Sequence, residues 1–274
     1  MKREMLSGIS FFVCYNVGKS IFVGDSALLD CAEDSMKVSI LTICPDVFDS
    51  FLNMPVLARA LRDGQLELEV VDIREFAPGS FRHIDDSPFG GGAGMILRCQ
   101  PVLDALAAVR SPESRTVALT PSGTPYTQKH AHELAEVPHL VLLCGHYEGF
   151  DARILKHADE ELSIGDYILT GGETAALVLL DSIARLLPGV IRQASTEDES
   201  FEDGLLEYPQ YTQPADYNGD TVPDVLLSGD HGRIRRWRRQ QALRLTRARR
   251  PDLFAQLDLS DEDLALLEEL PEEP

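Results

Sequence analysis

"TVALTPSGTPYTQKHAHELAEVPHLVLLCGHYEGFD", residues 116–151, decides the fold. Its two apolar runs, TVALT and HLVLLC, lack polar alternation, as strands covered on both faces do, and roughly ten residues of helical character at 127–136 separate them. A strand, a crossing helix and a second such strand make a parallel pair. The same alternation extends upstream to Met36, with strands at 37–44 and 66–73, helices at 46–62 and 101–109, and a glycine-rich loop at 77–95. The expected fold class is therefore α/β on a parallel sheet. Ligands of such sheets collect beyond the carboxyl ends of the strands. There the chain places PSG after residue 120, GHYEGFD after residue 144, and SIGDYILTGGE at 163–173.

Downstream of Arg192 the composition changes. Residues 193–220 are acidic and rich in turn formers, and read as a linker or long loop. Three helical segments follow: a basic one at 232–250, then RPDLFAQL, then SDEDLALLEEL with Ser260 as N-cap. We expect a sheet domain over 36–195, a linker over 196–210 and a smaller α-helical domain over 211–274. Residues 1–35 carry MLSGISFFVCYNVG, too interrupted for a signal-peptide core and too short to span a bilayer. They are expected to be a non-native or mis-assigned leader, with the functional chain starting at Met36.

With 45 acidic against 25 basic residues the net charge is -20, which repels nucleic acid and anionic membranes. A polyanion partner must use a local patch, and 232–250 holds nine of the 25 basic residues. In that helix Ile234, Trp237 and Leu245 lie roughly along one side and arginines on the others. Such a helix either packs one face and contacts phosphates with the rest, or is simply solvated. Cys14, Cys31, Cys44, Cys99 and Cys144 are widely spread without a C-x-x-C, so neither a disulfide framework nor a zinc site is indicated, and a reducing cytoplasm is the plain reading. No phosphate loop or complete dinucleotide fingerprint is present. Taken alone, TGGE at 170–173 is a capping box of Thr170 with Glu173, opening a helix through Leu177, Leu180, Ala184 and Leu187.

CGHYEGFDARI, SIGDYILTGGE, ARLLPGV, SFEDGLLEYPQYTQP and IRRWRRQQAL, in this order and spacing, closely resemble the bacterial tRNA (guanine-N1)-methyltransferase family, TrmD. The resemblance runs from Met36 nearly to the C-terminus. It implies a SPOUT-type fold with a deep trefoil knot, S-adenosylmethionine bound in a bent form, and a homodimer with the active site at the subunit interface. It implies that the donor is held by Leu119, Thr120 and Pro121, by Gly145, Tyr147, Glu148 and Gly149, and by Ser163, Ile164, Gly165, Asp166, Tyr167, Ile168, Leu169, Gly171 and Gly172. The loop HIDDSPFGGGAGM would receive the target guanine, with Asp85, Asp86, Gly90, Gly91, Gly92, Gly94 and Met95 near it; Arg235, Arg236, Trp237 and Arg239 would contact tRNA. The target so implied is the guanosine at tRNA position 37, beside the anticodon and preceded by another guanosine.

Methylating guanine N1 requires removing a proton from that nitrogen and stabilising charge on the base. By composition alone Arg185, in ARLLPG, reads as a solvated helix face, and STEDESFEDG as a solvated acidic run. The resemblance instead makes Arg185 the catalytic arginine. It places the catalytic Asp immediately before Ser-Phe, where this chain has Glu199, with Asp198 one residue earlier. Position favours Glu199 as the base, residue type Asp198. Gln210 departs as well, standing where the family has histidine. No metal-ligand cluster is visible, although the resemblance leaves room for magnesium. Methylation of another RNA, and RNA chaperoning without catalysis, stay open at this point.

Overall fold

The computed structural model describes residues 35–192 and 199–269, together with the backbone of two short strands, β1 (Val13–Tyr15) and β2 (Ser20–Val23). The chain divides into two compact units, Met1–Ile191 and Arg192–Pro274. In the first, β3 (Met36–Thr42) leads through a 3-10 turn into α1 (Phe48–Phe51) and α2 (Pro55–Arg62), then β4 (Leu66–Asp72). A small hairpin of β5 (Asp85–Asp86) and β6 (Ile96–Leu97) precedes α3 (Cys99–Val109). Next come β7 (Ser114–Pro125), α4 (Gln128–Ala135), β8 (His139–Cys144), α5 (Ala152–Leu155), β9 (Glu160–Ser163) and α6 (Glu173–Ala184). The sheet order is β1-β2-β4-β3-β8-β7-β9, and the five strands from β4 to β9 are mutually parallel.

The central position of β8 explains its unbroken apolar run, since all six of its residues are buried. Leu140, Leu142 and Cys144 pack with Phe48, Leu57, Leu134 and the inner face of α6, whereas Val141 and Leu143 pack on the opposite face with Val102, Leu106 and Ile154. Both faces are dry, so alternation would leave a polar side chain buried on one of them. Truncating Leu142 to alanine in such a core costs about 2–5 kcal/mol.

Three expected elements differ in the structure, and β9 is a strand that was not expected. The helix expected over 46–62 is broken, because Pro55 has no N–H to donate backward and forces Met54 to an extended ψ of 136°. β7 continues to Pro125 instead of stopping at 120: Leu162 of β9 pairs with both Leu119 and Thr124, and the intervening residues loop around it. A side chain at Gly123 would lie 2.5 Å from the Leu162 backbone, so only glycine permits this approach. The glycine loop expected over 77–95 contains β5, whose Asp85 and Asp86 pair with Leu97 and Ile96. Within the leader, β2 joins β4 in antiparallel fashion, Ser20 opposite Val71. The rest of residues 1–34 lie outside the described residues.

In the second unit, β10 (Asp216–Tyr217) and β11 (Asp220–Thr221) form a hairpin whose turn residues, Asn218 and Gly219, both have positive φ. The NG dipeptide between them is the sequence signal for this turn. Then follow α7 (Asp224–Leu227), α8 (His231–Arg249), α9 (Pro251–Phe254) and α10 (Asp261–Glu268). Ser260 caps α10, accepting from the Asp263 N–H. The buried face of α8 is Trp237, Gln240, Ala242, Leu243 and Thr246. Leu245, expected on that face, is only half-buried, whereas Leu243 is fully buried in a cluster with Leu205 and Leu266. Thr246 is accommodated there by donating to the Ala242 carbonyl and accepting from the Leu206 N–H.

Candidate active site

The carboxyl ends of β7, β8 and β9 open onto one cavity of about 360 Å³, within the range of small-molecule sites. Every residue expected to hold the methyl donor lines it except Asp166, which is exposed between Gly165 and Tyr167. Five of its lining residues are glycines, Gly145, Gly149, Gly165, Gly171 and Gly172, which expose backbone to it. The Gly172 N–H donates to the Gly145 carbonyl at 2.7 Å, and His146 bridges to Gly171, so the loops after β8 and β9 hold each other. A Cβ at Gly172 would lie 2.7 Å from the Cys144 Cα and 2.9 Å from the Gly145 nitrogen. No side chain fits there without moving the floor of the cavity. The rim is apolar and open: Tyr167 and Leu169 are exposed, and Ile168 is 80% exposed.

The capping box of Thr170 with Glu173 does not form. Gly172 is the N-cap of α6 and supplies no side-chain cap, and α6 ends at Ala184, before Leu187. Glu173, only 6% exposed, turns inward to where a donor exists, accepting from the Thr42 hydroxyl at 2.6 Å. Its other oxygen lies 3.6 Å from His146 Nδ1. The sequence reading missed Ser122, His146, Phe150, Leu155, Leu162, Thr170 and Ala175, all of which line the cavity. His146 was the accessible one, since it stands between two expected residues; Leu155 and Ala175 carry no signal apart from the fold.

The loop expected to receive the guanine is hydrogen-bonded to residues that line this cavity. The Glu148 N–H donates to the Met95 carbonyl at 3.0 Å, and the Leu97 N–H to the Gly149 carbonyl at 2.9 Å. Asp85 is half-buried, Asp86, Gly90, Gly91, Gly92 and Gly94 are exposed, and Met95 is half-buried. Arg185 is half-buried at the C-cap of α6. Glu199, in the second unit, is half-buried and enters a tight turn in which the Phe201 N–H donates to the Leu205 carbonyl and Ser200 Oγ accepts from the Glu207 N–H. Asp198 lies outside the described residues.

On α8 most of the charge is engaged within its own unit. Arg239 binds Asp263 through two hydrogen bonds, 2.8 and 3.0 Å, and its guanidinium holds the Asp263 carboxyl down at about 2. Arg236 pairs with Glu262 and Glu269, and Arg250 with Asp252. Arg244 donates to the Glu269 carbonyl, and Arg238 lies 4.7 Å over the Tyr208 ring. Among the described residues, Arg235, Arg247 and Arg249 are exposed and unpaired. Trp237, 8% exposed, sits near Tyr211 and lines a second cavity of about 400 Å³ with Tyr208, Gln210 and Arg238.

A family model described as tRNA (Guanine-1)-methyltransferase, TrmD, matches residues 36–256. A tRNA (guanine-N(1)-)-methyltransferase from Geobacillus kaustophilus is 51% identical over 238 residues, covering 85% of this chain and 98% of the relative. The enzyme so named from Clostridium perfringens is 47% identical over 234 residues, 85% of this chain and 99% of its own length. That from Limosilactobacillus fermentum is 46% identical over 242 residues, 86% and 96%. No helix among the described residues is long and apolar enough to cross a membrane.

Proposed function

The chain belongs to the tRNA (guanine-1)-methyltransferase family, TrmD, and transfers a methyl group to N1 of guanine in tRNA; from that premise we propose that its target is the guanosine at position 37 and its donor S-adenosylmethionine. The observation that carries the reading is the glycine-lined cavity formed by residues 119–122 of β7 and the loops after β8 and β9. Its residues fit the donor: Gly145, Gly149, Gly165 and Gly171 allow close approach to the backbone, and Leu119, Leu162 and Ile168 offer apolar surface for a ring. When bound, S-adenosylmethionine supplies an electrophilic methyl on its sulfonium.

The chain's own residues then have two tasks. A carboxylate, Glu199 by position and Asp198 by residue type, takes the N1 proton; the Arg185 guanidinium stabilises the negative charge that grows at O6. Asp85, Asp86 and the glycines through Met95 receive the base, beside the loop to which that segment is hydrogen-bonded. The helical unit anchors tRNA by phosphate contacts from α8, with Arg235 the expected contact that the structure leaves open.

The double pairing of Leu162 with Leu119 and Thr124, and the glycine-only approach at Gly123, support a SPOUT-type trefoil knot in this region. The exposed Ile168 and Leu169 beside the cavity, with Val178 on α6 43% exposed, support a homodimer that shares the active site. The free thiols of Cys44, Cys99 and Cys144 support a cytoplasmic location. Magnesium takes oxygen ligands, whereas the one cation-capable cluster among the described residues contains a thiol and an imidazole; the fit is poor, and no step here runs through magnesium.

Nucleoside mass spectrometry of tRNA incubated with the chain and donor tests the reading. The expected product is 1-methylguanosine, absent when position 37 is replaced by adenosine. Methyl on another nucleoside would redirect the activity to a different target, and no methyl at all would favour the chaperone reading.

A further inference from the structure

Three residues far apart in sequence meet under the donor cavity. Cys44 follows the end of β3, His146 follows the end of the adjacent β8, and Glu173 opens α6. One ligand atom from each lies within 4.8 Å of the others. The geometry points to a binding site for a zinc-type divalent cation formed by Cys44 Sγ, His146 Nδ1 and a Glu173 oxygen.

Four observations carry this. First, His146 Nδ1 is buried and has no hydrogen-bond partner, which a buried ring nitrogen normally does not tolerate. Second, its 3.6 Å separation from Glu173 Oε2 is too long for a good hydrogen bond but close to the spacing of two ligands on one tetrahedral ion, about 3.3 Å for bonds of roughly 2.0–2.1 Å. Third, an outer shell exists. The Thr42 hydroxyl donates to Glu173 Oε1 at 2.6 Å and accepts from the Cys44 N–H at 2.9 Å, orienting one ligand and the backbone of another, as partners of metal ligands commonly do. Fourth, the mixed sulfur, nitrogen and oxygen set matches zinc or cobalt and excludes the all-oxygen preference of magnesium and calcium. Cys44 gives up its proton to buffer on binding, and three protein ligands leave a fourth position for water.

This site is independent of the methyl-transfer reading, so its test does not use activity. The chelator-stripped full chain is titrated with cobalt(II) and then zinc(II). The expected result is one cobalt per chain, with a thiolate-to-cobalt charge-transfer absorption that zinc abolishes and magnesium does not. Cys44→Ser should remove that absorption, and Cys99→Ser should keep it. His146→Gln and Glu173→Gln should each weaken binding by more than the roughly 10- to 100-fold that loss of an outer-shell partner costs, with Thr42→Val inside that range. Should Cys44→Ser fail to fold by circular dichroism, His146→Gln, which keeps the thiol, answers the same question. No charge-transfer absorption at stoichiometric cobalt, absorption that survives loss of Cys44, or binding unchanged in His146→Gln would each overturn the site.

Discussion

The cavity beside β7, β8 and β9 and the arginine helix α8 offer opposite kinds of contact to a ligand. Glycines bring backbone to the cavity wall, so tightly packed at Gly172 that an added Cβ would sit 2.7 Å from the Cys144 Cα. The helix offers side-chain charge, yet Arg236 and Arg239 are engaged by Glu262, Glu269 and Asp263. A glycine marks a site because the absence of a side chain is a local geometric requirement. An arginine marks one only if no acid elsewhere in the fold has already taken it.

A side chain can outweigh both regions if it performs the chemistry. Glu199→Gln keeps the shape but cannot accept a proton, so the chemical step should fall by about 10²- to 10⁴-fold, with Asp198→Asn mild. Single-turnover methylation with tRNA and donor saturating, across pH, separates this from a binding defect; the reverse ranking would move the base to Asp198.

The backbone half of the comparison is tested at Gly172. Overpacking of about 1–3 kcal/mol predicts that Gly172→Ala binds the donor roughly 10- to 100-fold more weakly. Calorimetry on protein shown to be folded by circular dichroism measures it, and unchanged affinity would place the donor elsewhere.

The charge half is tested by two sets of substitutions. Replacing Arg235, Arg247 and Arg249 with glutamine should reduce the magnitude of the slope of log affinity for tRNA against log salt by roughly 2 to 3, at about 0.7–0.9 per phosphate contact, and leave donor affinity alone. The pair Arg236→Gln and Arg239→Gln should change that slope less. Equal flattening by the two sets would mean that internal pairing does not withhold those arginines from RNA.

The smallest expected effect isolates the pairing itself. Asp263 is held at about 2 in the folded chain, below roughly 3.9 when unfolded. Its stabilising contribution is therefore complete above about pH 4 and is lost as pH falls towards 2. Because the Arg239 side chain is 40% exposed, solvent screening limits the cost of Asp263→Asn to about 1–2 kcal/mol at pH 7. Thermal melts of the full chain should show the wild-type advantage at neutral pH and its disappearance near pH 2; an advantage that persists there would assign it to packing.

Much of the fold was legible because its determinants are local. HLVLLC reads as a doubly covered strand, and four of the five parallel strands follow from such runs, whereas β9, with the sequence EELS, carries no apolar run and was not expected. Pro55, which breaks the first helix, was equally local and was passed over. The extension of β7 to Pro125 was not legible, because the pairing of Thr124 with Leu162 depends on a residue 38 positions away. Leu243 and Leu245 were hard to separate on α8, since both are leucines and only the partner surface of Leu205 and Leu266 chooses between them.

By itself the sequence determined the α/β class, the positions of the glycine loops that wall the cavity, and the basic segment at 232–250, because hydrophobic period, missing side chains and composition are read along the chain. Tertiary structure decided which of those groups remain available. Glu173 left its expected capping role for Thr42 on β3, Cys44 and His146 came to face it from strand ends about a hundred residues apart, and Glu262 and Asp263 of α10 took up Arg236 and Arg239. Burial forces each polar group to find a partner, and that partner is set by packing in three dimensions.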